Sequence, residues 1–193
     1  FESIRLVIAG AERLDNKVRL EFKEKFSLDI YEGYGATETS PVSTVNMPNK
    51  LTNDCKVQTA FKIQTTGMPL PGTAIKIVDP DSFEELKVNE AGMILIGGIQ
   101  VMHGYLNNAE KTKEVLVEID DNIWYISGDK GKLDEDGFLV IMDRYSRFVK
   151  LGGEMISLSV VENKITKLLS ELYPSNDIDV FAVNIPDEKK GEQ

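Results

Sequence analysis

The sequence contains a single cysteine and a single histidine among its 193 residues. Cys55 has no second cysteine with which to form an internal disulfide, and no cysteine or histidine lies near it in sequence to complete a metal site. The lack of structural disulfides is typical of a reducing compartment. We therefore expect a cytoplasmic protein, with membrane association of a longer parent protein left open.

Long apolar runs are also missing. No window approaches the roughly 18 apolar residues of a membrane-spanning helix, and the first residues carry neither a basic leader nor a small-residue cleavage site. The sequence therefore predicts no membrane segment and no signal peptide. The chain begins with Phe1 instead of Met and stops at Gln193 without a helix-ending signal, so we expect it to be an excerpt of a longer protein.

Positive charge is scarce, because 22 Lys and Arg residues face 32 Asp and Glu residues and give a net charge of −10. Affinity for nucleic acid comes mainly from Lys and Arg that neutralise phosphates, so the composition argues against a nucleic-acid partner and against an anionic membrane surface. The hydrophobic fraction of 41% and the charged fraction of 28% exclude disorder for most of the chain.

The first part of the sequence reads as one βαβ unit. Residues 4–9 form a short apolar run that ends at a glycine and predict a buried strand. Asp15 precedes an amphipathic stripe at residues 16–26, which predicts a capped helix, and residues 28–31 predict a second strand. A strand, a helix and a strand in this order argue for a parallel sheet.

Beyond Thr52 the pattern changes to short β-branched runs separated by turns rich in Gly, Pro and Asp. These runs predict strands at residues 74–78, 93–96, 123–126 and 138–141, with one helix at 108–117. An antiparallel barrel or sandwich fits this pattern best. After a boundary near residues 143–147, an apolar helix face at 157–173 and a strand at 178–183 are predicted.

We therefore expect a fold of mixed class, α/β and β, in three parts. Residues 1–51 would be the end of a parallel βαβ subdomain, and residues 52–144 a small antiparallel β-barrel. Residues 145–193 would be a hinge and the start of a small, truncated α+β C-terminal domain.

The most informative stretch follows the second predicted strand and reads Tyr31-Glu-Gly-Tyr-Gly-Ala-Thr-Glu-Thr39. Two glycines beside an aromatic residue let the backbone approach a planar ligand. The Thr and Glu that follow can reach a phosphate and its Mg²⁺. An ordinary glycine-rich turn is the alternative interpretation of this stretch.

A second group of polar residues begins at Trp124-Tyr-Ile-Ser-Gly-Asp129. An aspartate directly after a glycine can present its carboxylate to two vicinal hydroxyls, as in a ribose. Taken singly, Gly128-Asp129 is as consistent with a turn. The basic residues that follow, Arg144, Arg147 and Lys150, are as consistent with a solvated face as with a surface for an acidic carrier protein or for coenzyme A phosphates.

Taken together, these segments resemble the adenylate-forming enzymes: acyl-CoA synthetases, luciferases and adenylation domains of peptide synthetases. The family's aromatic-Gly-x-Thr-Glu motif corresponds to residues 34–38, its Gly-Asp ribose motif to residues 127–129, and its hinge segment to residues 143–153. Residues 67–72 and 92–105 match its barrel region. The collinear motifs cover essentially the whole chain, so residues 1–51 would be the last part of the large AMP-binding subdomain.

Within that family, residues 147–158 look most like acyl-acyl carrier protein synthetases, including the synthetase half of bifunctional 2-acylglycerophosphoethanolamine acyltransferases. The resemblance implies that ATP activates a carboxylic acid, expected to be a fatty acid, to an acyl-adenylate with release of pyrophosphate. The acyl group then passes to a phosphopantetheine thiol, with acyl carrier protein preferred over coenzyme A. The alternatives are an acyl-CoA ligase, a peptide-synthetase adenylation domain, or a catalytically dead nucleotide-binding or carrier-docking module.

The resemblance also implies roles for individual residues, with ATP or AMP and Mg²⁺ as the bound groups. Tyr34 would stack on adenine beside Gly35, Thr37 would touch the α-phosphate, and Glu38 would hold Mg²⁺. The remaining nucleotide-binding positions are Asp129 on the ribose hydroxyls, Arg144 on ribose and phosphate, Ile141 beside the nucleotide, and Gly10, Ala11 and Glu12 on the other face of adenine. Lys150, Gly152 and Gly153 would form the thiol-acceptor face, with Thr37, Glu38 and Lys150 counted as catalytic.

Departures from the family pattern qualify these roles. The upstream phosphate-binding loop and the terminal catalytic lysine of the family have no counterpart in this sequence, so we expect the chain alone to bind nucleotide weakly and to be inactive. Ser146 occupies the hinge position where relatives commonly carry a charged residue. The upstream half of the acyl pocket is absent as well, and Thr39, Ser40 and Val42 are expected to form one wall of what remains.

Overall fold

The computed structural model describes residues 3–151, 154–174, 178–187 and 191–192. The chain divides into two compact units, Phe1–Met142 and Asp143–Gln193. A further division of the first unit near residue 51 stays a prediction from the sequence. Among the described residues, none of the helices has the length and apolar character needed to cross a membrane.

The first unit opens with the predicted βαβ arrangement. Strand β1 (Val7–Ala9) runs parallel to β2 (Ile30–Tyr34), and helix α1 (Asn16–Phe26) connects them. The Asp15 carboxylate caps the helix by accepting hydrogen bonds from the backbone N–H groups of Lys17 at 2.7 Å and Val18 at 3.2 Å. The predicted helix and the parallel pairing are confirmed.

The sheet around this unit is mixed instead of purely parallel. Strand β3 (Thr44–Val45) pairs antiparallel with β2, and β6 (Met68–Pro69) pairs antiparallel with β3. Strands β4 (Lys50–Leu51) and β5 (Val57–Gln58) form a separate two-stranded sheet. A parallel partner needs a long crossover connection, and the short loop between β2 and β3 provides none, so the chain returns antiparallel.

The middle region is an antiparallel sheet that curls into a half-barrel, as predicted. Its strand order is β11-β10-β8-β7, with β9 paired to β10. The strands are β7 (Thr73–Val78), β8 (Gly92–Gly98), β9 (Leu116–Ile119), β10 (Asn122–Leu133) and β11 (Leu139–Arg144), and helix α2 (Ala109–Val115) precedes β9.

The core of the half-barrel lies on both faces of β8. Ile94 and Ile96 pack in one cluster with Ile77, Tyr125 and Leu139, and Leu95 packs in a second cluster with Val78 and Trp124. A strand buried on both faces reads as a continuous apolar run, which is what residues 93–96 show. Two backbone hydrogen bonds join β11 to the mixed sheet: Thr66 N donates to the carbonyl oxygen of Leu139 at 2.8 Å, and Leu139 N donates to the carbonyl oxygen of Gly67 at 2.9 Å.

Strand β10 differs from the sequence prediction. The expected strand ends at Ile126, because Gly128 and Asp129 read as a turn, but β10 continues to Leu133. Its register against β8 shifts between Ile126 and Lys130, which marks a β-bulge at residues 127–129. Bulges re-aim a side chain within a continuing strand and have no distinct sequence signal, so the local pattern predicted a break instead.

The second unit is a small α+β arrangement. Strand β12 (Phe148–Leu151) pairs with β13 (Glu154–Ser157), helix α3 (Leu158–Leu172) follows, and β14 (Pro186–Asp187) and β15 (Gly191–Glu192) complete the sheet. Helix α3 agrees with the prediction. The predicted strand at 178–183 is wrong, since those residues form no regular element and β propensity alone does not make a strand without a pairing edge.

Candidate active site

The candidate site lies in the first unit, where the parallel strands β1 and β2 end side by side. Gly10 follows β1, and a Cβ atom placed on it would lie 3.3 Å from the carbonyl oxygen of Gly33 in β2. Ala11, the next residue, has the left-handed φ of 73°, and Ala11 and Glu12 are both exposed. The structure thus places residues 10–12 beside the start of the Tyr-Gly motif. Because ligands of α/β sheets bind in the crevice beyond such strand ends, this region is a candidate binding site.

The loop that follows β2 is held in shape by its own small residues. A Cβ atom on Gly35 would lie 1.8 Å from the carbonyl oxygen of Pro41, so only glycine fits there. Thr39 is fully buried, and its hydroxyl accepts hydrogen bonds from Ala36 N at 3.1 Å and Ser43 Oγ at 2.9 Å. The expectation that Thr39 lines an acyl pocket is therefore wrong, because its side chain supports the loop from inside.

Two side chains of this loop remain available at its surface. Thr37 and Glu38 lie in a short 3-10 turn, Thr37–Thr39, in which Thr37 is exposed and Glu38 is half-buried. The backbone of Glu38 is fixed from another part of the unit, since Met102 N donates to its carbonyl oxygen at 2.9 Å. The loop therefore presents a hydroxyl and a carboxylate side by side.

The Tyr34 side chain reaches Asp129, which the sequence places 95 positions away. The phenol donates to Oδ2 of Asp129 at 2.6 Å, and Asp129 is 6% exposed. Burial and the adjacent negative charge of Asp129 both raise the pKa of Tyr34. The phenol is therefore neutral at physiological pH and acts as a hydrogen-bond donor to the carboxylate.

The bulge in β10 fixes the position of Asp129. Gly128 has a φ of 74°, in the left-handed region that glycine adopts readily. The Ser127 hydroxyl accepts from Asp129 N at 3.0 Å and donates to the carbonyl oxygen of Ile94 in β8 at 2.8 Å. The Ser-Gly-Asp sequence thus supplies the turn residue, the tether and the carboxylate of this position.

Two tyrosines without an assigned role in the sequence analysis hold the Glu38 carboxylate. Tyr105 donates to Oε1 of Glu38 at 2.5 Å. This hydrogen bond is the main cause that lowers the pKa of Glu38, and a hydrogen bond from Tyr125 acts in the same direction. Burial, followed by the charge of Glu38, raises the pKa of Tyr125 to about 12. Glu38 is thus kept ionised by two neutral donors.

These two tyrosines carry a weak sequence signal. Tyr105 ends the Gly104-Tyr105 pair of the barrel region, and Tyr125 precedes the Ser-Gly-Asp motif. Both residues lie far along the chain from Glu38, and no local spacing relates them to it. The charge of Asp129 also raises the pKa of Tyr125, so the two carboxylates and their tyrosines form one polar cluster.

The other predicted site residues are distributed over both units. Ile141 lies on β11 and packs, with Tyr34, against the core cluster that contains Tyr125. Arg144 and Ser146 are exposed and belong to the second unit, and the backbone of Lys150 lies in β12. Gly152 and Gly153 lie outside the described residues.

One residue of the basic cluster at residues 144–150 forms an ion pair within the second unit. The Arg147 guanidinium forms an ion pair with Glu162 of α3 at 2.5 Å. A backbone hydrogen bond from Ala182, followed by the hydrogen bond from Arg147, lowers the pKa of Glu162. The charge of Arg147 is thus paired with a carboxylate of α3, and its contribution to a basic surface for a partner stays a prediction.

The arrangement suits recognition of hydroxyl groups and of charged phosphates with a cation. A buried carboxylate on a bulge accepts hydrogen bonds from hydroxyls, and an ionised carboxylate beside an exposed threonine suits phosphate and divalent cation. Among the residues that the structure describes, three or more His, Cys, Asp or Glu side chains do not come together as a metal site. The carboxylate and hydroxyl oxygens of this site therefore suit the hydroxyls of a nucleotide and a cation bound with its phosphates.

Known proteins are similar to this chain in sequence and in structure. The profile of the AMP-binding enzyme family matches residues 1–106. The 4-coumarate-CoA ligase-like 4 of Oryza sativa subsp. japonica is 31% identical over 195 residues, which cover 97% of this chain and 33% of that protein. A probable 4-coumarate-CoA ligase 2 of Dictyostelium discoideum is 37% identical over 164 residues, which cover 84% of this chain and 27% of that protein.

A solved structure agrees with these sequence relatives. The O-succinylbenzoate coenzyme A synthetase (MenE) of Bacillus subtilis, in complex with AMP, superposes with a TM-score of 0.73 at 28% identity. The superposition covers 99% of this chain and 35% of that chain, and the chain spans about a third of the length of the curated relatives it matches. With the family profile matching more than half of its residues and the motif residues joined as described, this chain belongs to the AMP-binding enzyme family.

Proposed function

We propose that this chain supplies the adenylate-binding face of an ATP-dependent acid-CoA ligase. In such a reaction a carboxylate oxygen attacks the α-phosphorus of ATP and pyrophosphate leaves, forming an acyl-adenylate. The thiol of coenzyme A then displaces AMP and forms the thioester. The observation that carries the proposal is the hydrogen-bonded cluster of Tyr34, Asp129, Glu38 and Tyr105 at the ends of the parallel strands.

The proposed roles follow from the chemistry of this reaction. AMP is itself the leaving group in the second step, so the protein needs to position the reactants and stabilise charge more than to provide a nucleophile. Tyr34 and residues 10–12 would flank the adenine, and Asp129 would accept hydrogen bonds from the ribose. Thr37 is exposed at the loop surface, where its hydroxyl would meet the α-phosphate.

Glu38 fits a role in holding Mg²⁺ together with the nucleotide. Mg²⁺ prefers hard oxygen ligands and is usually bound through one or two carboxylates plus substrate phosphates. The lowered pKa of Glu38 keeps its carboxylate ionised, and its tyrosine donors fix its direction. When bound, the ion would neutralise phosphate charge, and Glu38 would be its protein ligand.

For the acceptor thiol we propose coenzyme A over acyl carrier protein. Residues 147–158 pointed to acyl carrier protein synthetases, but the similar curated proteins are named as 4-coumarate-CoA ligases. Lys150, Gly152 and Gly153 would contribute to the acceptor face, Arg144 to the nucleotide phosphate, and Ser146 to the hinge. Titration of the chain with coenzyme A and with holo acyl carrier protein compares the two acceptors, and binding of the carrier protein alone would reverse the assignment.

The nucleotide assignment is tested by isothermal titration of the chain with AMP. We expect Asp129→Ala to weaken AMP binding by about tenfold, because it removes the carboxylate that accepts hydrogen bonds from the ribose. Asp81→Ala is the matched control, since it makes the same chemical change at an exposed turn residue and should leave the affinity unchanged. Equal heats for wild type and Asp129→Ala would contradict the ribose assignment.

A further inference from the structure

The hydroxyl of Tyr34 makes a contact that adenine stacking does not require. Any aromatic ring supplies a face for stacking, whereas the Tyr34 hydroxyl donates to Oδ2 of Asp129 at 2.6 Å. The bond joins the end of β2 to the bulge of β10, two elements far apart in sequence. Tyr34 therefore carries two separable features, a ring and a hydroxyl.

The contact fixes both partners. The Asp129 backbone is held through Ser127, and a donor to its carboxylate helps to set the plane of the two oxygens. The phenol provides that donor at one oxygen, and the raised pKa of Tyr34 means that the proton stays on the phenol. A carboxylate offers about four acceptor positions, so this bond leaves it able to accept hydrogen bonds from a ligand.

We propose that the hydroxyl of Tyr34 is a specificity-determining group, which orients Asp129 for the vicinal hydroxyls of ribose and thereby selects ribonucleotides over nucleotides without those hydroxyls. This inference rests on the proposed function. It separates the two features of Tyr34: the ring contributes to affinity for any adenine nucleotide, and the hydroxyl contributes only when the sugar carries hydroxyls. Asp129 is nearly buried, so its direction decides whether a ribose edge can reach it.

The experiment compares AMP with 2′,3′-dideoxyadenosine monophosphate in titrations of the whole chain. We expect wild type to prefer AMP, and Tyr34→Phe to reduce this preference by about fivefold or more while it binds the dideoxy nucleotide within about twofold of wild type. Tyr31→Phe removes the same atom from a neighbouring tyrosine of β2, whose ring packs edge-on against Phe61 at 5.1 Å. This control should change neither affinity.

Three results would overturn the inference. An equal loss for both nucleotides would mean that the substitution acts through stacking or folding. An unchanged preference would mean that the hydroxyl takes no part in sugar recognition. Tighter AMP binding by Tyr34→Phe would mean that the phenol competes with ribose for Asp129 instead of orienting it.

A ligand-free measurement separates this inference from the proposed function. A double-mutant cycle measures the coupling between Tyr34 and Asp129 in the absence of ligand. It compares the free energies of unfolding of wild type, Tyr34→Phe, Asp129→Ala and the double variant, with the fluorescence of Trp124 as the signal. Coupling without any binding of AMP by wild type would overturn the proposed function and make the pair purely structural. Binding of AMP with an unchanged sugar preference in Tyr34→Phe would overturn only the inference.

Discussion

Glu32 precedes the motif at residues 34–38 and Glu38 ends it, yet the two carboxylates have opposite kinds of partner. Glu32 is buried and forms an ion pair with the buried guanidinium of Arg19. Glu38 is half-buried and accepts hydrogen bonds from tyrosine hydroxyls. A neighbouring cation cancels the charge of the first, whereas phenols leave the charge of the second in place for a ligand.

The kind of partner thus distinguishes Glu32, a structural carboxylate, from Glu38, a carboxylate proposed to bind a ligand. Arg19 also donates to the carbonyl oxygen of Ile30 at 3.0 Å, so the ion pair ties α1 to β2 beneath the site. The phenol of Tyr34 instead comes from the motif itself, and the phenol of Tyr105 comes from the half-barrel side. Ion pairs hold the scaffold together, and neutral donors orient the groups that face the ligand.

The largest expected effect comes from removing the cation of the structural pair. Arg19→Met leaves the buried Glu32 charge without its partner, which costs about 3–5 kcal/mol of the free energy of unfolding. Urea unfolding followed by the fluorescence of Trp124, which lies in the same unit, measures the loss. Arg5→Met is the control at an exposed arginine, and a similar effect for the two variants would show that the Arg19–Glu32 pair is not structural.

A smaller effect is expected from the glycines that shape the binding side. Gly35→Ala places a Cβ atom 1.8 Å from Pro41 O, so the loop must open, at a cost of about 2 kcal/mol. Gly128→Ala meets no atom within 4 Å and bears only the strain of its left-handed φ, about 1 kcal/mol. The same urea titration compares them, and the reverse order would contradict the described loop geometry.

The smallest expected effect concerns the donor of Glu38. Tyr105→Phe should lower stability at pH 7 by about 1 kcal/mol, because the lost hydrogen bond is partly exposed to solvent. The pKa of Glu38 lies below its ordinary value of 4.5 in the folded state, so this stabilisation is present above that value and is lost as the pH falls through the folded pKa.

The check is the stability difference between wild type and Tyr105→Phe, measured from pH 7 to pH 3. It should shrink towards zero at the acid end, whereas Tyr31→Phe should show no such pH dependence. A difference that stays constant over the whole range would mean that Tyr105 acts through packing and not through the Glu38 carboxylate.

Local patterns determined much of this protein. The βαβ order, the helix at residues 16–26, the helix face of α3 and the antiparallel character of the middle region follow from periodicity, capping and turn residues, which act over a few positions. The sequence also singled out the motif at residues 34–38 and the Ser-Gly-Asp sequence, which the structure joins through the hydrogen bond between Tyr34 and Asp129. Their roles in nucleotide binding stay predictions.

Tertiary structure alone decided how those residues work together. The bulge of β10, the tyrosines that hold Glu38, the inward position of Thr39 and the pairing of Arg147 with Glu162 depend on contacts between distant segments. A hydroxyl or a guanidinium has the same sequence signature whether it faces solvent or a carboxylate. Only the fold brings the partner within hydrogen-bond distance, and that distance decides whether a charge is cancelled or kept for a ligand.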